Sequence, residues 1–486
     1  LDEAIENYEK ALQLDPKLFN GWFNQGTALD DLKKFAKAAL CFQEAVELDP
    51  SNAEAAYNLG VALLNLNKFR EASTAFERAV SVRPDYDKAW NNLGVCQFKL
   101  GDFEGAISTY DKLINLRPND DDAWVNKGVA LKRLGRVNEA ISAYDRAIAL
   151  NPAREEVWNN RANALFEAGR WQEAADNFTR LLDFNPSDED ALRKRGECFV
   201  KLRRFAEAAD SFRRASEVNP MEFAYHYQRG KCLLEVDDER SALDSFRRAA
   251  AARPSDADTQ YQIGKLLFES GDWPGAVSAL EKAAIVPGFE DAWGELGVAY
   301  ARTGKPEKAV AALEKALPKR PEDKVLLEAY ANALYGFERF QQAADAYARL
   351  LRLDPGNAPA LNNAGNALYR LEKFAESVGY YDKALALDPR IESAWRNKGV
   401  ALRKLGRNAE AEAAFQTVLK LAPQDAKVRE LRAQTLEDLN RLDEALKEYE
   451  ESLRLEPKNE GGWLRRAGIN EKLGRWNEAV RALDKA

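Results

Sequence analysis

The chain has 486 residues, with 71 Lys and Arg against 79 Asp and Glu and a formal net charge of −8. A chain this acidic lacks the basic stripe that duplex binding needs, so nucleic acid is not expected as a general partner, and no apolar run is long enough to span a bilayer. Hydrophobic residues make up 45% of the chain, enough for a packed core and unlike a disordered composition.

The first residues, LDEAIENYEK, carry neither a signal nor a transit-peptide pattern. They are followed by prolines at a fixed interval: Pro16, Pro50, Pro84, Pro118, Pro152, Pro186, Pro220 and Pro254 stand 34 apart, the step to Pro287 is 33, and Pro321, Pro355, Pro389, Pro423 and Pro457 resume at 34. Proline ends a helix and cannot continue it. Before each one the apolar residues recur at i, i+3, i+4 and i+7, as in Ala140, Tyr144, Ala147 and Ile148, which is helical spacing. Midway lies a second break, often glycine (Gly101, Gly135, Gly169, Gly271, Gly304, Gly406, Gly474), suited to the left-handed residue that closes a helix. Each unit therefore reads as helix A, a tight turn, helix B and a turn with proline.

Helix A carries a small residue in its middle, Gly26, Gly60, Gly94 and Gly128 being the first four. A glycine there costs roughly 1 kcal/mol against alanine, so its recurrence points to close approach of another helix. Helix B answers with a small residue and, four positions on, a large one: Ala38 and Phe42, Ala72 and Phe76, Ala106 and Tyr110, Ala140 and Tyr144. The aromatic stripes are thus expected in the core rather than in a cofactor site. Cys96, Cys198 and Cys232 share a position that is Ala28, Ala62 or Ala130 elsewhere, Cys41 stands apart, and none forms a CxxC pair. Small buried thiols in a reducing, cytoplasmic setting are expected. A repeat of this length cannot bury its own apolar face and must stack on copies of itself.

Trp90, Leu93, Gly94, Ala106, Tyr110 and Pro118 follow the W-x2-L-G…A-x3-F…P order of a tetratricopeptide repeat, which the chain resembles over essentially its whole length. The resemblance implies an all-α fold, an α-solenoid of stacked helix-turn-helix units forming a right-handed superhelix, with a concave groove lined by helices A. By this reading residues 1–18 are a partial repeat (helix B only), 19–222 regular units, 223–323 divergent units with a possible bend, 324–459 regular units, and 460–486 a partial repeat. In the divergent stretch His226 and Gln260 replace the first large residue, and Glu239 and Pro306 stand where Phe35 or Phe69 stand elsewhere. Pro318 is expected inside the last turns of a helix B. His226, the one histidine, lacks partners for metal binding or catalysis and is expected to be a packed or edge residue.

The candidate binding residues lie on helix A. Two places after the Trp position stands asparagine in five successive units (Asn24, Asn58, Asn92, Asn126, Asn160), then Lys194, and asparagine again at Asn363 and Asn397. Asparagine is a poor helix-interior residue, and its amide can pair with both backbone groups of an extended chain. Helices stacked roughly 8–10 Å apart would meet an extended chain about every third residue. In the family this position faces the groove, and the series is similar to the asparagine ladder of the O-GlcNAc transferase repeat region. The lysine and asparagine set that clamps chaperone C-termini is not found.

No phosphate-binding loop, zinc-protease, serine-hydrolase, paired-cysteine or EF-hand motif is present. The sequon at Asn177 falls on a helix B and is discounted. The expectation is a non-catalytic scaffold without cofactor or metal, binding protein or peptide segments in the groove; the alternative is the sensing or regulatory arm of a larger enzyme or signalling protein. Leu1–Ile5 aligns with Leu442–Leu446, so the chain begins with a helix B and ends within another. Ala4, Tyr8 and Leu12 at one end, and Trp476, Val480 and Leu483 at the other, are expected to expose apolar surface and to favour head-to-tail self-association.

Overall fold

A computed structural model describes all 486 residues; it contains 29 α-helices and no strand. The chain divides into two compact units, Leu1–Ala252 and Arg253–Ala486, a division that falls within the divergent stretch 223–323. The first unit holds α1 (Asp2–Leu14), α2 (Phe19–Asp31), α3 (Phe35–Leu48), α4 (Ala53–Asn65), α5 (Phe69–Val82), α6 (Asp87–Lys99), α7 (Phe103–Leu116) and α8 (Asp121–Arg133). It continues through α9 (Val137–Leu150), α10 (Glu155–Glu167), α11 (Trp171–Phe184), α12 (Glu189–Lys201), α13 (Phe205–Val218), α14 (Phe223–Leu234) and α15 (Glu239–Ala252). The second unit holds α16 (Ala257–Glu269), α17 (Trp273–Ala284), α18 (Ala292–Arg302), α19 (Pro306–Ala316), α20 (Lys324–Gly336), α21 (Phe340–Leu353) and α22 (Ala358–Arg370). It ends with α23 (Phe374–Leu387), α24 (Glu392–Lys404), α25 (Asn408–Leu421), α26 (Ala426–Asp438), α27 (Leu442–Leu455), α28 (Glu460–Lys472) and α29 (Trp476–Leu483). Even-numbered helices are helices A and odd-numbered ones helices B. Within each unit a helix packs against those before and after it, so the solenoid of stacked pairs holds as expected.

The interlock of A with B is the small-against-large contact anticipated from the sequence. A Cβ on Gly128 would lie 2.5 Å from Tyr144 Cε1, and one on Gly60 would lie 2.6 Å from Phe76 Cε1. Alanine is already too large there while the ring stays in place. Ala38, Ala72, Ala106 and Ala140 on helix B are fully buried beside these rings.

The turn from A to B is closed by a left-handed residue whether or not it is glycine. Gly135 has φ 77°, and beyond it Arg136 N–H donates to Leu131 O at 3.0 Å. Lys33, Asn67, Arg203, Asp237, Glu338, Glu372 and Asn440 take φ of 57–61° at the same place. The closing hydrogen bonds impose the conformation even on residues whose Cβ disfavours it.

The Trp position has a polar task as well as an apolar one. Trp22, Trp90, Trp124, Trp158, Trp395 and Trp463 each donate Nε1–H to the carbonyl of the proline six residues earlier, at 2.8–3.3 Å. His226 Nε2 meets Pro220 O at 2.8 Å, Gln260 Nε2 donates to Pro254 O at 3.0 Å, and Arg429 Nη2 to Pro423 O at 2.8 Å. His226 is buried. At Ala56, Leu192 and Leu327 the donor comes instead from helix B: Arg78 to Pro50 O, Arg214 to Pro186 O and Arg349 to Pro321 O. In these twelve units a side chain meets a proline carbonyl that no backbone N–H reaches; the carbonyls of Pro287 and Pro355 have no such partner.

Two expectations are corrected. Pro318 does not lie inside a helix: α19 stops at Ala316 after 11 residues, where most helices B run to 14, because proline offers no N–H for the next turn. Leu12 is not exposed but buried, since α1 lies on α2 with Leu12 against Gly21; Leu14, 89% exposed, is the apolar residue left in the open there. The short unit is short where expected: α17 ends at Ala284, and Ile285–Asp291 leads to α18 through Gly288 at φ 96°. All four cysteines are buried and free. Asn177 is also buried, held by Arg161 Nη1 (2.8 Å) and by the Glu173 carbonyl (2.7 Å), which leaves its amide no access for a glycan. Trp476, 63% exposed, Val480 and Leu483 are open as anticipated.

Candidate binding face

Seven of the eight candidate residues are half-buried on helices A, and Asn24 is exposed. In the first unit they fall on α2, α4, α6, α8, α10 and α12; in the second, on α22 and α24. Four of them, Asn92, Asn126, Asn363 and Asn397, reach back with their amides to the preceding helix A. Asn92 Nδ2 approaches the Tyr57 hydroxyl at 3.5 Å, and Asn126 Nδ2 donates to Asn91 Oδ1 at 3.4 Å. In the second unit Asn363 Nδ2 donates to Asn332 Oδ1 at 3.4 Å, and Asn397 Nδ2 to Asn366 Oδ1 at 2.8 Å. An amide has two N–H donors and one acceptor oxygen. Each of these four uses one donor on its neighbour and keeps one N–H; Asn92, Asn126 and Asn397 also keep their oxygen, whereas Asn363 Oδ1 accepts from Asn362 Nδ2 at 3.4 Å. The bond favours one orientation of the amide on the helix face, most firmly at Asn397, where it is 2.8 Å.

Asn92 and Asn126 border a polar cleft of about 540 Å³ that also exposes Tyr57 and Asn91, with Asp87 and Arg117 paired across it at 2.7 Å. In the second unit Asn366, Asn397, Tyr335, Tyr369 and Arg370 line a smaller cleft of about 250 Å³. Here the face is tied to the core: the buried Tyr381 donates its hydroxyl to Asn366 Oδ1 at 2.8 Å, and Tyr347 does the same to Asn332 at 2.5 Å. Sequence reasoning passed over Asn91, Asn163, Asn332 and Asn366. Three of them, Asn163, Asn332 and Asn366, share one register five places after the Trp position, a signal that was present.

Lys194 interrupts the series with a charge that its own surroundings already satisfy. Its Nζ lies 2.7 Å from Asp190 and 2.5 Å from Asn163 Oδ1. Arg193 bridges Asp190 and Glu197, both at 2.5 Å. Burial raises the Asp190 pKa, but hydrogen bonds from Lys194 and Arg193 outweigh it and hold the carboxyl below its usual range. Farther along, Glu295 occupies the same position on α18, raised by burial against the opposing pull of Arg320 at 3.5 Å. The face thus offers neutral amides in regular helices and internally paired charges where the series breaks.

A tetratricopeptide-repeat family model matches residues 227–288, 329–390, 362–426 and 430–486, and two further models of that description match 267–333 and 1–18. Residues 18–229 match a model described as the Cilia and flagella-associated protein 70 C-terminal domain. No curated protein sequence matches the chain. Among solved structures it is similar to Naa15/Naa10 bound to HypK-THB, at 17% identity over 99% of this chain and 90% of that chain, with a TM-score of 0.39. YrrB, a TPR protein with an unusual peptide-binding site, is 26% identical over 39% of this chain and 98% of its own, with a TM-score of 0.33. The APC/C hetero-tetramer Cut9-Hcn1 is 16% identical over 95% of this chain and 94% of that one, also at 0.33.

Proposed function

We propose, from the premise that this chain belongs to the tetratricopeptide-repeat family, that it is a non-catalytic scaffold that holds extended protein segments along the open faces of its helices A. The observation that carries this reading is the orientation of the amides. Asn92, Asn126 and Asn397 each use one N–H on the neighbouring helix A and keep a donor and an acceptor for the backbone of a ligand; Asn363, whose oxygen accepts from Asn362, keeps a donor. A peptide backbone offers the same two groups whatever its side chains, so the amides give affinity with little sequence preference. Selectivity then falls to the residues between them, such as Tyr57 and the Asp87–Arg117 pair. The likeness of residues 18–229 to the cilia- and flagella-associated domain supports a place for the scaffold at a cilium or flagellum.

The test is a peptide selected from a random library on the intact chain. Replacing Asn58, Asn92, Asn126 and Asn160 together by alanine should weaken it by about 2 kcal/mol or more, at roughly 0.5–1.5 kcal/mol per lost hydrogen bond, with the helical circular dichroism unchanged. Undiminished binding by the fourfold variant would remove the amides from the function.

A further inference from the structure

A second surface is built by helices B. Between α21 and α23 lies a cleft of about 770 Å³ lined by Leu351, Leu361 and Leu387 together with Arg349, Arg352 and Lys383. Arg349 reaches only the Pro321 carbonyl, at 3.5 Å. The one carboxylate lining the cleft, Asp345, accepts from Gln341 at 3.1 Å. Three cations beside three leucines stand out on a chain of net charge −8.

Leu361, which lines the cleft, occupies the Trp position. In three other units the lysine 22 residues after that tryptophan lies over its ring: Lys112 over Trp90 at 4.8 Å, Lys315 over Trp293 at 3.7 Å and Lys485 over Trp463 at 5.0 Å. Lys383 keeps that register after Leu361 with no indole beneath it. Pro355, six residues before Leu361, lines the cleft, and its carbonyl accepts no side-chain N–H, unlike those of Pro321 and Pro389 in the adjoining repeats. Tyr380, a residue with small or polar counterparts in the other units, adds an aromatic wall, with Lys383 Nζ at 5.3 Å from its ring. The comparable cleft of about 720 Å³ beside Ala56 lacks these features, since Arg78 already serves the Pro50 carbonyl and Lys68 pairs with Glu71 at 3.2 Å.

We propose that the α21–α23 cleft docks an acidic segment of a partner protein through one tryptophan side chain. The indole fills the space that Leu361 leaves, lies beneath Lys383 and donates its N–H to the Pro355 carbonyl, as the chain's own tryptophans do. Flanking carboxylates pair with Arg349 and Arg352.

The probe is a fluorescein-labelled peptide Glu-Asp-Trp-Asp-Glu, titrated into the full chain at low salt and followed by anisotropy. Exchanging its tryptophan for alanine should weaken binding about tenfold or more, as for a central aromatic anchor. Leu361→Trp should close the cleft and abolish binding. Arg352→Glu with Lys383→Glu, at exposed positions where folding is not at stake, should abolish it too. Replacing Asn58, Asn92, Asn126 and Asn160 should leave it unchanged, which separates this site from the helix A face. The proposal is overturned if the peptide does not bind, if the alanine peptide binds equally, or if the charge-reversed chain keeps its affinity. It is also overturned if phosphatidylserine vesicles compete fully with the peptide, which would assign the cations to a lipid surface.

Discussion

The pairs α8–α9 and α18–α19 build the same contact from different means. In the first, 13 and 14 residues run their full length, Tyr144 covers Gly128, Gly135 closes the turn and Trp124 donates to Pro118. In the second, both helices have 11 residues, Leu313 covers Gly297, and Trp293 makes no bond to its proline but lies beneath Lys315. The left-handed turn glycine is kept, at Gly304. Drift has therefore altered helix ends and the polar anchor while sparing the interlock of A with B and the turn that sets their angle. Those two contacts define the repeat, and the remainder adjusts around them.

The sharpest way to break this comparison is Gly128→Leu, which drives a branched side chain into Tyr144 and should cost about 3 kcal/mol or more. Gly297→Leu should cost less, because Leu313 can change rotamer where a packed ring cannot. Hydrogen exchange of the amides of α8–α9 and α18–α19 reads the two effects locally. Next comes the turn. Gly135→Ala should cost about 1–2 kcal/mol from the left-handed penalty, and Arg203→Gly should return about 1 kcal/mol at a turn that now pays it; denaturant melts of the two variants should move in opposite directions. Trp124→Phe, which removes the N–H donated to Pro118, should lose about 1 kcal/mol, whereas Trp293→Phe should lose less. Pro318→Ala is the mildest: α19 should lengthen toward 14 residues with a stability change of a few tenths of a kcal/mol, visible as new amide protection at Leu317–Lys319.

The interlock was legible because it is written in residue size at a fixed register, Gly128 against Tyr144 and Gly60 against Phe76. The turn was legible only where it is glycine; Lys33 and Arg203 adopt the same backbone under hydrogen bonds that their side chains do not announce. The role of the Trp position as an N–H donor was hidden, since its partner is a backbone carbonyl and its substitutes His226, Gln260 and Arg429 differ from tryptophan in size and polarity. Pro318 was misplaced because spacing gives a helix's usual length, not where this helix stops. On the candidate face the register of Asn92 and Asn126 was readable, but their bonds to Tyr57 and Asn91 depend on how adjacent helices A stack, which one repeat does not encode.

The central claim is that the helix A amides track an extended chain, and its most direct test is photocrosslinking. A library-selected peptide carrying a benzophenone at successive positions would be irradiated on the intact protein and the adducts mapped. The account predicts adducts that advance from one helix A to the next, α4 to α6 to α8 to α10, about every third peptide residue, as set by helix spacing and extended-chain rise. Adducts confined to one helix A, or falling on α5, α7 and α9, would contradict it.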